Sequence, residues 1–188
     1  GREITSILDI DVLLNRVVEL IQDAFGYYHV QVFLLEQDTR QFVMGASSGN
    51  RDIQHRRLDL GGKSINSEAA QTGKIQLVRD VREHPNFLFD EELPETRSEL
   101  VVPLKVGNRV IGTLDVHASK ADAFSEEDML VIQSLGDQIA VAIENANLYN
   151  QSKKLAVLEE RNRLSRELHD SVTQSLYSLV LFTEGWRR

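Results

Sequence analysis

The chain has no cysteine. That excludes disulfides, thiolate metal centres, a thiol nucleophile and any thioether-linked chromophore, and it suits a reducing, cytoplasmic setting. Basic residues are the minority: 21 Lys and Arg stand against 29 Asp and Glu, a formal net charge of −8. No general attraction to nucleic-acid phosphates or acidic membranes is therefore expected. No apolar run approaches the ~20 residues that span a bilayer, and no signal peptide is visible. Proline does not occur after Pro103, and glycine does not occur between Gly136 and Gly185. So long a stretch without helix breakers is expected to be a single helix. The first residue is Gly rather than Met, and the closing EGWRR follows directly on an apolar helical pattern. Both ends are expected to be cut from a longer protein, whose membrane attachment these residues leave open.

What is present is ordinary for a globular protein, 41% hydrophobic and 27% charged in 188 residues, enough for one core and an appendage. Val12, Leu13, Val17, Leu20, Ile21 and Phe25 recur at helical spacing up to Gly26. HVQVFLLE and QFVMGASS are strands joined by a QDTR turn, and RRLDL is a short strand ending at Gly61–Gly62. SINSEAAQTG is a short helix capped by Ser64 and closed by Gly73, followed by the strand IQLV. RDVREHPNFLFDEELPETR holds two of the three prolines and reads as a long irregular loop, a common form for binding lids. SELVVPLKVGNRVIGTLDVHAS is a hairpin turning at Gly107–Asn108. Ser125 with Asp128 resembles a capping box at the start of the long helix.

These elements predict an α+β domain on an antiparallel sheet. GGKSINSEAAQTGKIQLVRDV, SELVVPLKVGNRVIGTLDVHAS and FSEEDMLVIQSLGDQIAVAIENANLY, in that order, resemble a GAF domain. The resemblance covers nearly all of residues 4–150. It implies terminal helices on one sheet face and a small-molecule pocket on the other, and it names no ligand. A GAF domain over residues 1–150 and a further helical segment over 151–188 are the expected organisation. Strand alternation then sorts the side chains: Leu114 and Val116 face one side, Thr113, Asp115 and His117 the other, and Glu99 is set apart from Leu100, Val102 and Leu104. If the apolar sets lie under the terminal helices, Glu99, Thr113, Asp115 and His117 converge on the pocket face. Polar groups on an inner face must be paired or used by a ligand; mutual pairing, or a place at a solvated edge, is the simpler expectation. His84 and His117 could each serve as an axial haem ligand, yet neither has a supporting motif, so no haem, no metal and no other cofactor is expected in this chain. His29 and His55 carry no motif. GGKS at 61–64 fails the G-x-x-x-x-G-K-[ST] spacing at its first glycine.

The long helix carries the second signal. Ser165, Leu168, Val172, Ser175, Leu179 and Phe182 fit the a and d positions of a heptad, so a coiled-coil homodimer is expected. LEERNRLSRELHDSVTQSL resembles the phosphoacceptor helix of sensor histidine kinases, in the subfamily typified by nitrate sensors. The resemblance implies that His169 is phosphorylated, that Asp170 orients the imidazole and acts as base, and that Gln174 positions water to dephosphorylate a response regulator. Imidazole chemistry fits independently, since a neutral ring nitrogen is available near neutral pH, an adjacent carboxylate can hold the other nitrogen protonated, and Arg166 is a nearby cation for phosphoryl transfer. His169 falls at heptad position e, beside the seam and open to solvent. ATP and Mg²⁺ are expected only in a kinase domain, which these residues do not include. Two functions remain open here: the regulatory part of a two-component kinase, or a ligand-binding GAF protein whose tail only dimerises it.

Overall fold

A computed structural model of the protein describes residues 2–49 and 56–185, with side chains described for 10–49, 56–169 and 172. His55 therefore lies outside the described residues. The chain divides into two compact units, Gly1–Asn145 and Ala146–Arg188.

The first unit is built on six antiparallel strands: β1 (His29–Glu36), β2 (Gln41–Ser47), β3 (Arg57–Asp59), β4 (Gln76–Val78), β5 (Ser98–Val106) and β6 (Arg109–Ala118). Their order across the sheet is β3-β2-β1-β6-β5-β4. The predicted hairpin forms: β5 and β6 pair side by side and turn at Gly107, whose φ of 60° glycine adopts without strain.

Because β5 and β6 are buried on both faces, both faces need cover. Helices α1 (Arg2–Phe25) and the first turns of α3 (Glu126–Gly185) provide it on one side. Leu14, Val18 and Ile21 of α1 and Ile132, Ile139 and Ile143 of α3 pack with Val32, Leu100, Val102, Leu114 and Val116 in one core. This is the face the strand alternation assigns to the terminal helices. The capping pair at the start of α3 forms in both directions: Asp128 N–H donates to Ser125 Oγ at 3.1 Å, and Ser125 N–H donates to Asp128 Oδ2 at 2.8 Å.

The opposite face is covered by helix α2 (Ile65–Thr72) and the 79–97 segment, where Ile65, Ala69, Val78, Val81 and Val101 form a smaller core with Phe87. Ser64 caps α2 by accepting from Ser67 N–H at 3.0 Å, and Gly73 ends it at φ 61°. The 79–97 segment is more ordered than its sequence suggests. It contains a single 3-10 turn, Val81–Glu83, held at its start by Asp80, which also accepts from Arg82 and Arg97.

At Gly112 strands β1 and β6 approach so closely that an added Cβ would sit 2.2 Å from the Phe33 carbonyl oxygen. Backbone cannot yield there as a side-chain tip would. Gly112→Ala is expected to destabilise the first unit by about 3 kcal/mol through forced separation of the central strands; chemical denaturation showing a change below ~0.5 kcal/mol would mean that the pair relaxes freely.

Candidate functional site

The polar face of the central strands is where chemistry concentrates. Register places Glu99 of β5 opposite His117 of β6, and Gln31 of β1 opposite Asp115. Alternation turns Thr113, Asp115 and His117 away from the terminal helices, towards α2. The four candidates from the sequence, Glu99, Thr113, Asp115 and His117, are thus brought together. All four are buried, Asp115 at 1% exposure and His117 at 5%, so the site is an enclosed layer and not a solvated sheet edge.

Asp115 is the hub. Its Oδ2 accepts from Gln31 Nε2 at 2.8 Å and from Asn66 Nδ2 at 3.0 Å. Thr113 Oγ1 donates to Asn66 Oδ1 at 2.6 Å and fixes that amide. Asp115 Oδ1 lies 3.2 Å from His117 Nε2. His117 Nε2 is also 3.0 Å from Gln31 Nε2, and its Nδ1 is 3.4 Å from Thr96 Oγ1. His29 is close by, its ring 5.8 Å from that of His117 and its nitrogens facing Ser47 and Ser48.

The charges divide by environment. Burial, then the neighbouring Asp115 carboxylate, raise the Glu99 pKa well above the ordinary range, so Glu99 is held neutral. Burial also opposes charge on Asp115, but His117 and the amides of Asn66 and Gln31 outweigh it and keep Asp115 ionised. For His117 burial favours the neutral ring; the Asp115 carboxylate, chiefly by its charge, reverses this and pushes the pKa up to about 9. The result is a buried imidazolium–carboxylate pair beside a protonated acid.

A cavity of about 40 Å³ opens onto this cluster. Gln31, Asn66, Glu99, Asp115 and His117 line it with Phe33, Ile65 and Phe87, and Arg56 and Asp90, paired with each other, complete the wall. One water needs roughly 10–15 Å³ measured this way, so the cavity has room for a few waters or a small ion. His84 is not part of it. Its ring faces Glu68, with Nε2 3.8 Å from Oε2, and accepts from Asn86 N–H at 3.3 Å.

Sequence reasoning missed Gln31, Asn66, Thr96 and His29. Gln31 carried a signal, being a polar residue between Val30 and Val32 in an otherwise apolar strand. Asn66 reads as an ordinary first-turn helix residue, and only the packing of α2 on the sheet aims it at Asp115.

In the second unit, α3 presents His169 on an exposed position. Two turns before it, Arg163 pairs with Glu160 and Glu167 at 2.7 and 2.6 Å, and Arg166 Nε donates to the Asn162 carbonyl at 3.3 Å. Leu168 and Val172, assigned to the seam, are 64% and 56% exposed in the single chain. The side chains of Asp170 and Gln174 lie outside the described residues.

Residues 8–144 match the GAF domain family, and residues 160–188 match the histidine kinase family. The sensor histidine kinase YhcY of Bacillus subtilis (strain 168) is 45% identical over 80 residues, 43% of this chain. The match spans 21% of that relative's length. The free methionine-R-sulfoxide reductase of Neisseria meningitidis, solved in complex with its substrate, superimposes with a TM-score of 0.66 at 26% identity, covering 74% of this chain and 80% of that one. The GAF domain of a phosphoenolpyruvate-protein phosphotransferase from Coxiella burnetii shares the fold, with a TM-score of 0.69 at 20% identity over 80% of this chain and 94% of that one.

Proposed function

The chain belongs to the GAF domain family, and from that membership we propose that it is the regulatory portion of a two-component sensor histidine kinase, in which the state of the GAF pocket governs phosphorylation of His169. The observation that carries the reading is the pairing of two separate matches on one chain: a GAF domain with a small polar cavity, and a histidine kinase segment beginning at residue 160. Helix α3 runs from Glu126 to Gly185 and takes part in both.

In this proposal a ring nitrogen of His169 attacks the γ-phosphorus of ATP held by a kinase domain, the bond to the ADP oxygen breaks, and the phosphoryl group then passes to an aspartate of a response regulator. The exposure of His169 suits a nucleophile that must meet two protein partners in turn. Asp170 holds the proton on the other ring nitrogen and Gln174 orients water against the phosphorylated regulator. Exposed Leu155, Leu158, Leu164, Leu168 and Val172 suit a seam with a second copy of α3. No helix among the described residues is long and apolar enough to cross a membrane; a cytoplasmic position, where ATP is at hand, is part of this proposal.

The GAF half is proposed to bind and not to turn over its ligand. A solved relative in complex with its substrate supports ligand binding by this fold, but the absence of cysteine removes the thiol as a reductant. The cavity volume and the engagement of His84 elsewhere weigh against haem.

The experiment is a fusion of this chain, in frame, to the remainder of a histidine kinase, assayed with γ-labelled ATP for an acid-labile, base-stable label. Coupling is tested in the same fusion by inserting four glycines after Gln151. Flexible glycine does not transmit rotation or sliding, so the insertion is expected to leave labelling in place and to abolish its response to the GAF ligand or to substitutions at Asp115. A response retained in full would exclude transmission through the helix.

A further inference from the structure

Two features of the buried cluster are left unexplained by its own hydrogen bonds. Gln31 Oε1 is a buried acceptor without a hydrogen-bond partner, and Asp115 Oδ1 has only the His117 ring nitrogen beside it, 3.2 Å away and not aligned as a hydrogen bond, in residues 4% and 1% exposed. An unpaired buried acceptor costs about 1–3 kcal/mol, more when charged. Both residues line the cavity, and neither oxygen has a full hydrogen bond within the cluster. The Gln31 amide deepens the conflict, because its Nε2 donates to Asp115 while standing 3.0 Å from His117 Nε2. It therefore opposes any proton on that ring nitrogen. Turned over, the same amide would present Oε1 to the cluster.

We propose that Glu99, Asp115 and His117, with the Gln31 amide oxygen, form a binding site for one divalent first-row transition-metal ion, so that the input ligand of this GAF domain is a metal.

One candidate donor atom from each of Glu99, Asp115 and His117 lies within 4.8 Å of the other two. An ion ~2.1 Å from each donor sets donor–donor separations of roughly 3 to 4 Å, and Asp115 Oδ1 and His117 Nε2 already meet this at 3.2 Å. Glu99 brings the third donor within the same 4.8 Å. The remaining groups are arranged as outer partners of a metal site. Asn66 holds Asp115 Oδ2 and leaves Oδ1 for the ion, and Thr96 stands at 3.4 Å from the other nitrogen of His117. One imidazole with two carboxylates and an amide oxygen, and no thiolate, suits Mn²⁺, Fe²⁺ or Zn²⁺ better than Cu⁺ or a cluster. Two carboxylates against a divalent ion leave the site neutral with a neutral imidazole. The cavity of about 40 Å³ admits such an ion with a water.

This inference deepens the reading of the GAF half as the input domain and stands apart from the phosphoacceptor reading, which labelling at His169 tests separately. The probes are Zn²⁺, Mn²⁺, Fe²⁺ and Co²⁺ salts added singly to the chelator-stripped chain, with excess removed by desalting and bound metal measured by mass spectrometry. One ion per chain is expected for at least one metal, with Co²⁺ giving d–d absorption in the visible. His117→Ala and Glu99→Gln should each bring the stoichiometry to background, and His169→Gln should leave it unchanged. Asn66→Ala should keep one ion but bind it about 10- to 100-fold more weakly by calorimetry. Should His117→Ala fail to fold, Glu99→Gln, close to Glu99 in shape, gives the same readout. Failure of the wild-type chain to retain any of the four metals, or equal retention by the Glu99→Gln chain, would overturn the proposal.

Discussion

His169→Gln is expected to remove phosphoryl label to background from the kinase fusion while leaving its dimer and fold intact. Glutamine keeps a polar side chain of helix-compatible propensity but has no nucleophilic nitrogen, since its amide lone pair is delocalised. His169 is exposed and sits beside the predicted seam, so its replacement should not move the melting temperature by more than ~1 °C. That separation of chemistry from folding makes the result interpretable. Asp170→Asn removes the orienting charge alone and should lower the initial rate about 100-fold or more, as loss of an acid–base partner does. Gln174→Ala should leave labelling of His169 near wild type and prolong the lifetime of the phosphorylated regulator. Full labelling of the His169→Gln fusion would mean that the tail is a dimerisation element and that the match over residues 160–188 concerns shape without chemistry.

The degree to which sequence alone reaches these residues differs between the two halves for a physical reason. In α3 the acceptor histidine, its acidic neighbour and the glutamine lie within six consecutive residues of one helix, so local spacing carries the whole constellation. The GAF cluster is assembled from β1, α2, β5, β6 and the 79–97 segment. Strand alternation recovers the members from β5 and β6, since a period of two fixes which side chains share a face and the Gly107 hairpin fixes register. It does not recover Asn66 or Thr96, whose places depend on how a helix and a loop pack over the sheet. The fold itself was legible in element order, because caps, turns and apolar periods agree at nearly every boundary. Ser64, Gly73, Gly107 and the Ser125–Asp128 pair all act where their chemistry predicts. The order within the 79–97 segment was not legible. It rests on Asp80 accepting from Arg82 and Arg97 and on Val81 burying itself against α2, and only the second of these leaves even a hydrophobic trace in the sequence.

Asp115→Ala is expected to be the most destabilising substitution in the polar layer, by about 3–5 kcal/mol with chelator present. Asp115 Oδ2 is the acceptor for both Gln31 and Asn66, and its charge balances the His117 imidazolium in a layer no more than 5% exposed. Alanine leaves two buried amide donors without their acceptor and takes from His117 the carboxylate that holds its ring charged. A loss of that size in a unit of this length should lower the melting temperature by about 10 °C or more. Asp115→Asn keeps an acceptor for one amide and should cost about half as much. Glu99→Gln should be close to neutral at pH 7, because burial and Asp115 already hold Glu99 uncharged. The decisive measurement is the cycle with His117→Ala. Once Asp115 is gone, His117 has already lost its charged partner, so removing it costs less than in the wild type, and the double variant should be less destabilised than the sum of the singles by roughly 1–3 kcal/mol. Additive effects, or a cost for Asp115→Ala below ~1 kcal/mol, would mean that Asp115 and His117 do not act as a buried pair.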